Sequence, residues 1–148
     1  MPKLFTLHEA EDCLPQLEQW LRTAIEAKQE AVSAEEDLQA LATRVHLLGG
    51  MELNPSDVAA RRRVKDEGVE RFKDAMEKIE EAGCIVKDVD IGLIDFPSLR
   101  GAEEIYLCWR LGEPRIEYWH RVDEGFSGRK LIQDPDGFGE DTGPSRPN

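Results

Sequence analysis

The feature that most constrains the fold is a long run of mostly apolar residues at alternating steps of three and four near the start of the chain, in which Lys28 and Glu35 are charged. This is the spacing of a heptad repeat, which places one stripe along a helix that packs lengthwise against other helices. The run ends at Gly49–Gly50, and a helix from Pro15 to about Leu48 would be roughly 50 Å long at 1.5 Å per residue. The stripe consists of Leu14, Leu17, Leu21, Ala24, Lys28, Ala31, Glu35, Leu38, Ala42 and Val45.

Local residue choices set the predicted helix ends. Thr6 and Glu9 have the spacing of a capping box, in which a hydroxyl residue precedes a glutamate by three places. Pro15 predicts either a kink or the first turn of a separate helix, because its ring does not fit an undisturbed helix interior. Asn54 as N-cap and Pro55 as first helical residue open a second helix.

The second helix has its own stripe and ends at Gly83. Because the connection is short, the two helices are expected to form an antiparallel hairpin over about residues 6–83. Counting outward from the turn places Phe72 near Ala31 and Gly68 near Glu35. The second stripe consists of Val58, Lys65, Gly68, Phe72, Ala75, Ile79 and Ala82, with Val69 and Met76 beside it.

Beyond Gly83 the apolar residues alternate, which is typical of strands. Three strands are predicted at Ile91–Phe96, Glu104–Arg110 and Arg115–Arg121, with a further edge strand within Ile85–Val89. The expected fold is therefore α+β: a long, coiled-coil-like antiparallel helical hairpin followed by a small three- or four-stranded antiparallel sheet. Residues 1–132 would form one domain, with the sheet at about 84–132, and the Gly- and Pro-rich residues 133–148 would be a disordered tail.

Pairing Arg110 with Arg115 and Pro97 with Ala102 predicts the two faces of this sheet. The more apolar face, expected against the helices, carries Ile94, Phe96, Ile105, Leu107, Trp109, Ile116, Tyr118 and His120. The other face carries Ile91, Leu93, Asp95, Tyr106, Cys108, Arg110, Glu117, Trp119 and Arg121. This register separates Cys108 from His120, which argues against a Cys–His nucleophile pair.

Charge and composition exclude several classes of function. The chain has 19 Lys and Arg against 31 Asp and Glu, a net charge of −12, so nucleic acid and anionic membranes are not expected partners. No apolar run approaches the roughly 18 residues of a membrane span, and the start resembles no secretory signal; we expect a cytoplasmic protein. Cys13, Cys84 and Cys108 are too scattered for a disulfide framework or a Cys-rich zinc site.

The hairpin carries more apolar surface than two helices can hide from water. Either the C-terminal part of the chain or a second copy would cover this surface, and the length of the hairpin favours self-association into a homodimer, most simply a four-helix bundle. A different protein partner is also an option. No catalytic group is convincing. The sequence favours a non-enzymatic assembly or partner-binding function over an enzyme.

The alternative is a small-ligand or metal site, with a catalytic role left open, on the mixed aromatic and charged sheet face. Its candidate residues are Asp95, Tyr106, Arg110, Trp119, His120 and Arg129. A metal could be bound by His120, Asp123 and Glu124. The loop Gly125–Arg129 could bind an anion, or it could be a plain turn with Arg129 paired to a carboxylate. No particular cofactor is indicated.

Several stretches resemble one uncharacterised prokaryotic family, domain-of-unknown-function family 2203. They are Phe5–Ala10, Leu14–Pro15, Gly92–Pro97, Ile105–Glu113, Tyr118–His120 and Gly125–Arg129. The resemblance runs from about Phe5 to Leu131 and implies a helical hairpin with a small sheet. It implies no activity, substrate or catalytic residue.

Overall fold

Two long helices begin the chain, as the computed structural model of residues 3–49 and 54–139 shows. Helix α1 spans Leu7–Leu47 without interruption at Pro15, and α2 spans Pro55–Glu81. The predicted capping box forms, because the Thr6 N–H donates to Glu9 Oε1 at 2.9 Å and the Glu9 N–H to Thr6 Oγ1 at 3.1 Å. No described helix is long and apolar enough to cross a membrane.

The chain divides into two compact units, which are described separately. The hairpin unit is Arg22–Met76, and the sheet unit combines Met1–Leu21 with Glu77–Asn148. In the hairpin unit the helices approach through small residues: Ala24, Ala27, Ala34, Gly68 and Ala75 are buried. Gly68 packs on Ala27 and Ala31, one turn away from the predicted neighbour Glu35, which instead forms an ion pair with Lys65.

The sheet has five antiparallel strands rather than the predicted three or four, in the order β1-β2-β3-β4-β5. The strands are β1 Ile85–Asp88, β2 Leu93–Arg100, β3 Glu103–Arg110, β4 Tyr118–Arg121 and β5 Lys130–Leu131. The fifth strand was missed because two residues are too few to show alternation.

The β2–β3 pairing is shifted by four residues from the prediction, so the hairpin turns two residues later. Pro97 lies within β2 opposite Tyr106, and the chain reverses after Gly101, whose φ is +64°. Pro97 is tolerated there because its nitrogen, which carries no hydrogen, points away from β3. Its carbonyl accepts from the Phe5 N–H, and the nitrogen and carbonyl of one strand residue point to the same side. A shift by an even number of residues leaves the predicted faces of both strands unchanged.

The β3–β4 pairing differs from the prediction by one residue, and this reverses the faces of β4. Tyr106 lies opposite His120 and Cys108 opposite Tyr118, so the predicted Arg110–Arg115 pairing is wrong. A longer loop causes the slip, since it is closed by Glu113, which accepts from the Arg110 N–H and from Trp109 Nε1. His120 therefore shares a face with Cys108.

The core of the sheet unit lies between one sheet face and the helix ends. Phe5 meets Phe96 edge to face at 5.3 Å, and Ser98 Oγ donates to the Phe5 carbonyl. The largest apolar side chains there that are essentially inaccessible to water are Phe5, Leu17, Leu21, Ile79, Ile94, Phe96, Ile105, Leu107, Trp109 and Phe138. The predicted helix-facing side of β2 and β3 is thus buried, and at Asp95 and Cys108 the opposite side is buried as well.

Phe138 belongs to the segment predicted to begin a disordered tail. It is buried, lies 6.1 Å from the Trp119 ring and bridges to Arg100 on β2, while the Gly139 N–H donates to the Leu99 carbonyl. Residues 133–139 therefore cover part of the sheet. The rest of the predicted tail lies outside the described residues.

Candidate functional site

Three neighbouring strands bring three chemically reactive side chains to one place on the sheet. Asp95 on β2 lies opposite Cys108 on β3, and His120 on β4 lies opposite Tyr106, two residues before Cys108. All three point to the same face because antiparallel partners and residues two apart share a face. We call Asp95, Cys108 and His120 the buried triad.

The triad is tight and closed to water. His120 Nε2 lies 3.1 Å from Asp95 Oδ1, and one ligand-type atom from each of the three residues lies within 4.8 Å of the others. The residues are 1%, 0% and 2% exposed for Asp95, Cys108 and His120. Charged groups this deeply buried are kept only when they are paired or bind an ion.

Hydrogen bonding fixes which nitrogen of His120 carries a proton. Nδ1 lies 2.8 Å from the Arg121 carbonyl oxygen, which can only accept, so Nδ1 is the donor. Nε2 then faces Asp95, either as a bare lone pair or as a second N–H. In the neutral ring the lone pair would confront a carboxylate oxygen, so a positive species is required between Nε2 and Asp95.

Cys108 and Asp95 each have a property that also favours a positive ion within the triad. Burial, followed by the negative charge of Asp95, raises the pKa of the Cys108 thiol to about 12. Asp95 Oδ2 is buried and has no hydrogen-bond partner among the described residues. Both atoms would gain from a cation at the centre of the triad.

Aromatic and cationic side chains surround the triad. The Tyr106 ring meets His120 edge to face at 5.6 Å, and Lys87 Nζ lies 5.3 Å from the Tyr106 ring centre. Nearby, Arg129 stacks over Tyr118 at 4.0 Å and binds both carboxylate oxygens of Glu113 through Nη2, at 2.7 and 2.9 Å. The Arg129 guanidinium is thus paired with an internal carboxylate through Nη2, while its Nε is buried without a hydrogen-bond partner among the described residues.

The remaining predicted residues are not members of the triad. Trp119 is on the opposite face against Phe138, and Arg110 shares the face of Cys108 but is exposed. Asp123 is exposed, and Glu124 pairs with Lys130, whose interaction lowers the pKa of that carboxyl together with the Arg121 N–H. The predicted set of His120, Asp123 and Glu124 is therefore not gathered around the imidazole.

The sequence held part of the information about the triad. Asp95 stands between Ile94 and Phe96 in a buried strand, where a carboxylate is costly without a partner. Alternation places Asp95 and Cys108 on one face for any even shift of β2 against β3. To place His120 on the same face, the register of β4 against β3 also had to be known. That register depends on the length of the loop before β4.

No curated protein and no solved structure matches the chain. The family model of an uncharacterized conserved protein, DUF2203, matches residues 3–132. This span includes the buried triad, and each of the motifs around Asp95, Cys108 and His120 belongs to a stretch on which the sequence resemblance was based. The chain belongs to the uncharacterized conserved protein family DUF2203.

Proposed function

We propose that this protein is an assembly protein whose helical hairpin self-associates with the hairpin of a second copy. The observation that carries the proposal is a groove of about 500 Å³ in the hairpin unit, with an apolar floor that includes Leu38, Leu41 and Val58. These side chains are only partly buried, because the two helices contact each other through alanine and glycine. Covering them would remove further apolar surface from water.

The charges around the groove suit a second copy of the same surface. Two acidic residues, Glu35 and Asp66, and two basic residues, Arg62 and Lys65, line it. Glu35 and Lys65 already form an ion pair within the chain. In a two-fold symmetric contact each patch meets itself, so Arg62 and Asp66 can face their opposites in the second copy. A surface of one sign would repel its copy.

Net charge and size are also compatible with such a contact. Residues 22–76 contain nine Lys and Arg against eleven Asp and Glu, a net charge of −2, so most of the −12 of the chain lies elsewhere. A face of two helices, each 33–39 Å long by its residue count and about 10 Å wide, covers roughly 700–800 Å². A standard interface uses about that much per partner.

The buried triad supports a catalytic function less well than the groove supports self-association. Its three side chains are essentially inaccessible to water, so a bound substrate would not reach them, and a thiol with a pKa of about 12 is a poor nucleophile near neutral pH. The Glu113 pairing of Arg129 likewise favours a structural turn over an anion site. A non-enzymatic function accounts for both observations.

The test is the mass of the full-length protein by light scattering at micromolar concentration. We expect twice the chain mass of 16.8 kDa. Leu41→Glu, which places a charge on the groove floor, should give single copies. The matched control is Val122→Glu, at an exposed apolar residue of the sheet unit, and it should stay dimeric. A single-copy mass for the unmodified protein would contradict the proposal.

A further inference from the structure

The buried triad gathers three metal-binding side chains and leaves one of its polar atoms without a hydrogen-bond partner among the described residues. Three groups that accept protons or metal ions converge: the Nε2 of His120, the carboxylate of Asp95 and the sulfur of Cys108. Asp95 Oδ2 lacks a hydrogen-bond partner among the described residues although the residue is 1% exposed. Converging acceptors in a dry interior are stable only around a proton or a metal ion.

We propose that Asp95, Cys108 and His120 bind one divalent metal ion of the zinc type. Imidazole nitrogen, thiolate sulfur and carboxylate oxygen are the three ligand classes found at protein zinc sites. The mixture argues against Mg²⁺ and Ca²⁺, which prefer oxygen alone, and the thiolate favours a softer ion. The site goes beyond the proposed self-association, since it lies in the sheet unit.

The distances are within reach of tetrahedral binding. Zinc bond lengths of about 2.0–2.3 Å imply donor atoms roughly 3.4–3.6 Å apart. His120 Nε2 and Asp95 Oδ1 are 3.1 Å apart, and no two of the three donor atoms are separated by more than 4.8 Å. Small rotations of the side chains would equalise these distances without moving the strands.

The hydrogen bond on the far side of the imidazole has the arrangement of a metal-binding histidine. Nδ1 donates to the Arg121 carbonyl at 2.8 Å, which holds the ring and leaves Nε2 for the ion. Histidine ligands in proteins almost always donate their other N–H in this way. Because β4 supplies both the ring and the carbonyl, the orientation is set by the strand itself.

Charge balance accounts for the burial. Without metal, Asp95 and the Nε2 of His120 share one proton, which makes the pair neutral, and Cys108 is a neutral thiol. On binding, M²⁺ forms bonds to Nε2, a carboxylate oxygen and sulfur, while the shared proton and the thiol proton leave to solvent. The ion then balances one thiolate and one carboxylate, so the site is neutral in both states. A neutral exchange avoids burying a net charge.

Three protein ligands leave a fourth position for water in a tetrahedral site. The closed surroundings suggest an ion that joins β2, β3 and β4 rather than one that turns over a substrate. Such an ion would stabilise the folded protein by mass action. Entry and release would require local opening of the sheet face, so exchange should be slow.

Cobalt titration of the full-length, chelator-dialysed protein tests the site directly. We expect one Co²⁺ per chain, tetrahedral visible absorption, a thiolate-to-cobalt charge-transfer band, and bleaching of both by one equivalent of zinc. Cys108→Ser should abolish the charge-transfer band and weaken zinc binding by at least ~10-fold, since loss of outer-shell partners alone costs that much.

The matched control is Cys84→Ser, which removes another buried thiol of the sheet unit and should leave both bands intact. Far-ultraviolet circular dichroism verifies folding; if Cys108→Ser does not fold, Asp95→Asn replaces it, with the same expected loss of zinc affinity. No cobalt absorption in the unmodified protein would overturn the site and leave a buried ion pair. So would a charge-transfer band that survives in Cys108→Ser or disappears in Cys84→Ser.

Discussion

His120 Nε2 on β4 lies 3.1 Å from Asp95 Oδ1 on β2, so the contact spans the central strand β3. Both side chains are at most 3% exposed. The contact links strands that share no backbone hydrogen bonds, and it does so through groups that would be costly to bury alone. The stability of the sheet unit should therefore depend on both members being present.

Asp95→Ala is expected to lower the free energy of unfolding of the metal-free protein by about 3–5 kcal/mol, because it leaves His120 buried without its partner. Urea denaturation followed by circular dichroism measures this change. The control is Asp123→Ala, at an exposed aspartate, which should change stability by less than about 0.5 kcal/mol. Equal effects of the two substitutions would mean that the pair contributes nothing specific.

The helical part of the fold was predictable because its determinants are local. The Thr6–Glu9 capping box forms as the spacing predicted, and α2 begins at Pro55 with Asn54 Oδ1 accepting from the Ser56 N–H. These interactions join residues two or three places apart, so no knowledge of the rest of the fold is needed. The axial offset between the two helices depends on the connection between them, so the predicted neighbour of Gly68 was wrong by about one helical turn.

The sheet was less predictable because register is a non-local property. Glu113 closes the loop before β4 by binding the Arg110 N–H and the Trp109 indole, and nothing in the alternation of Tyr118 to Arg121 reveals that. One residue of slip moved His120 onto the face of Asp95 and Cys108. The sequence therefore did not place the three residues of the buried triad together, although each of them was discussed there as a candidate for chemistry.

Thiol reactivity should separate the three cysteines. Burial raises the pKa of Cys84 and of Cys108 to about 12, so at pH 8 only about one in ten thousand of either thiol is ionised. Cys13 is partly exposed, although burial also raises its pKa. With chelator present, Ellman's reagent should react with at most one thiol in the folded protein and with three in denaturant. Rapid reaction of two or more thiols in the folded state would contradict the burial.

Gly68 should be intolerant of even one methyl group. A Cβ there would lie 2.9 Å from the Ala27 carbonyl oxygen and 3.1 Å from the Ala31 Cβ, so the helices would have to separate. Replacing a helical glycine by alanine normally gains about 1 kcal/mol, but overpacking costs about 1–3 kcal/mol. We expect Gly68→Ala to lower the melting temperature, and Gly68→Leu to lower it further. Ser33→Ala, at an exposed site of α1, measures the propensity gain alone and should not destabilise the protein.

The capping box at the start of α1 should give a defined pH dependence. The Thr6 N–H, followed by the Thr6 hydroxyl, lowers the pKa of the Glu9 carboxyl, so the folded state favours its ionised form. The stabilisation is present above the ordinary glutamate value of about 4.3 and is lost as pH falls through the lowered pKa. Glu9→Gln should therefore be less stable than the unmodified protein at pH 7 and equally stable at strongly acidic pH. Thr6→Ala should cost about 1 kcal/mol at pH 7, and part of that cost should remain in acid because the Thr6 hydroxyl also accepts from the Glu9 N–H, which does not titrate. Thermal melts from pH 7 to strongly acidic pH measure the difference in stability between Glu9→Gln and the unmodified protein. A difference that did not shrink in acid would show that the charge of Glu9 does not contribute to the cap.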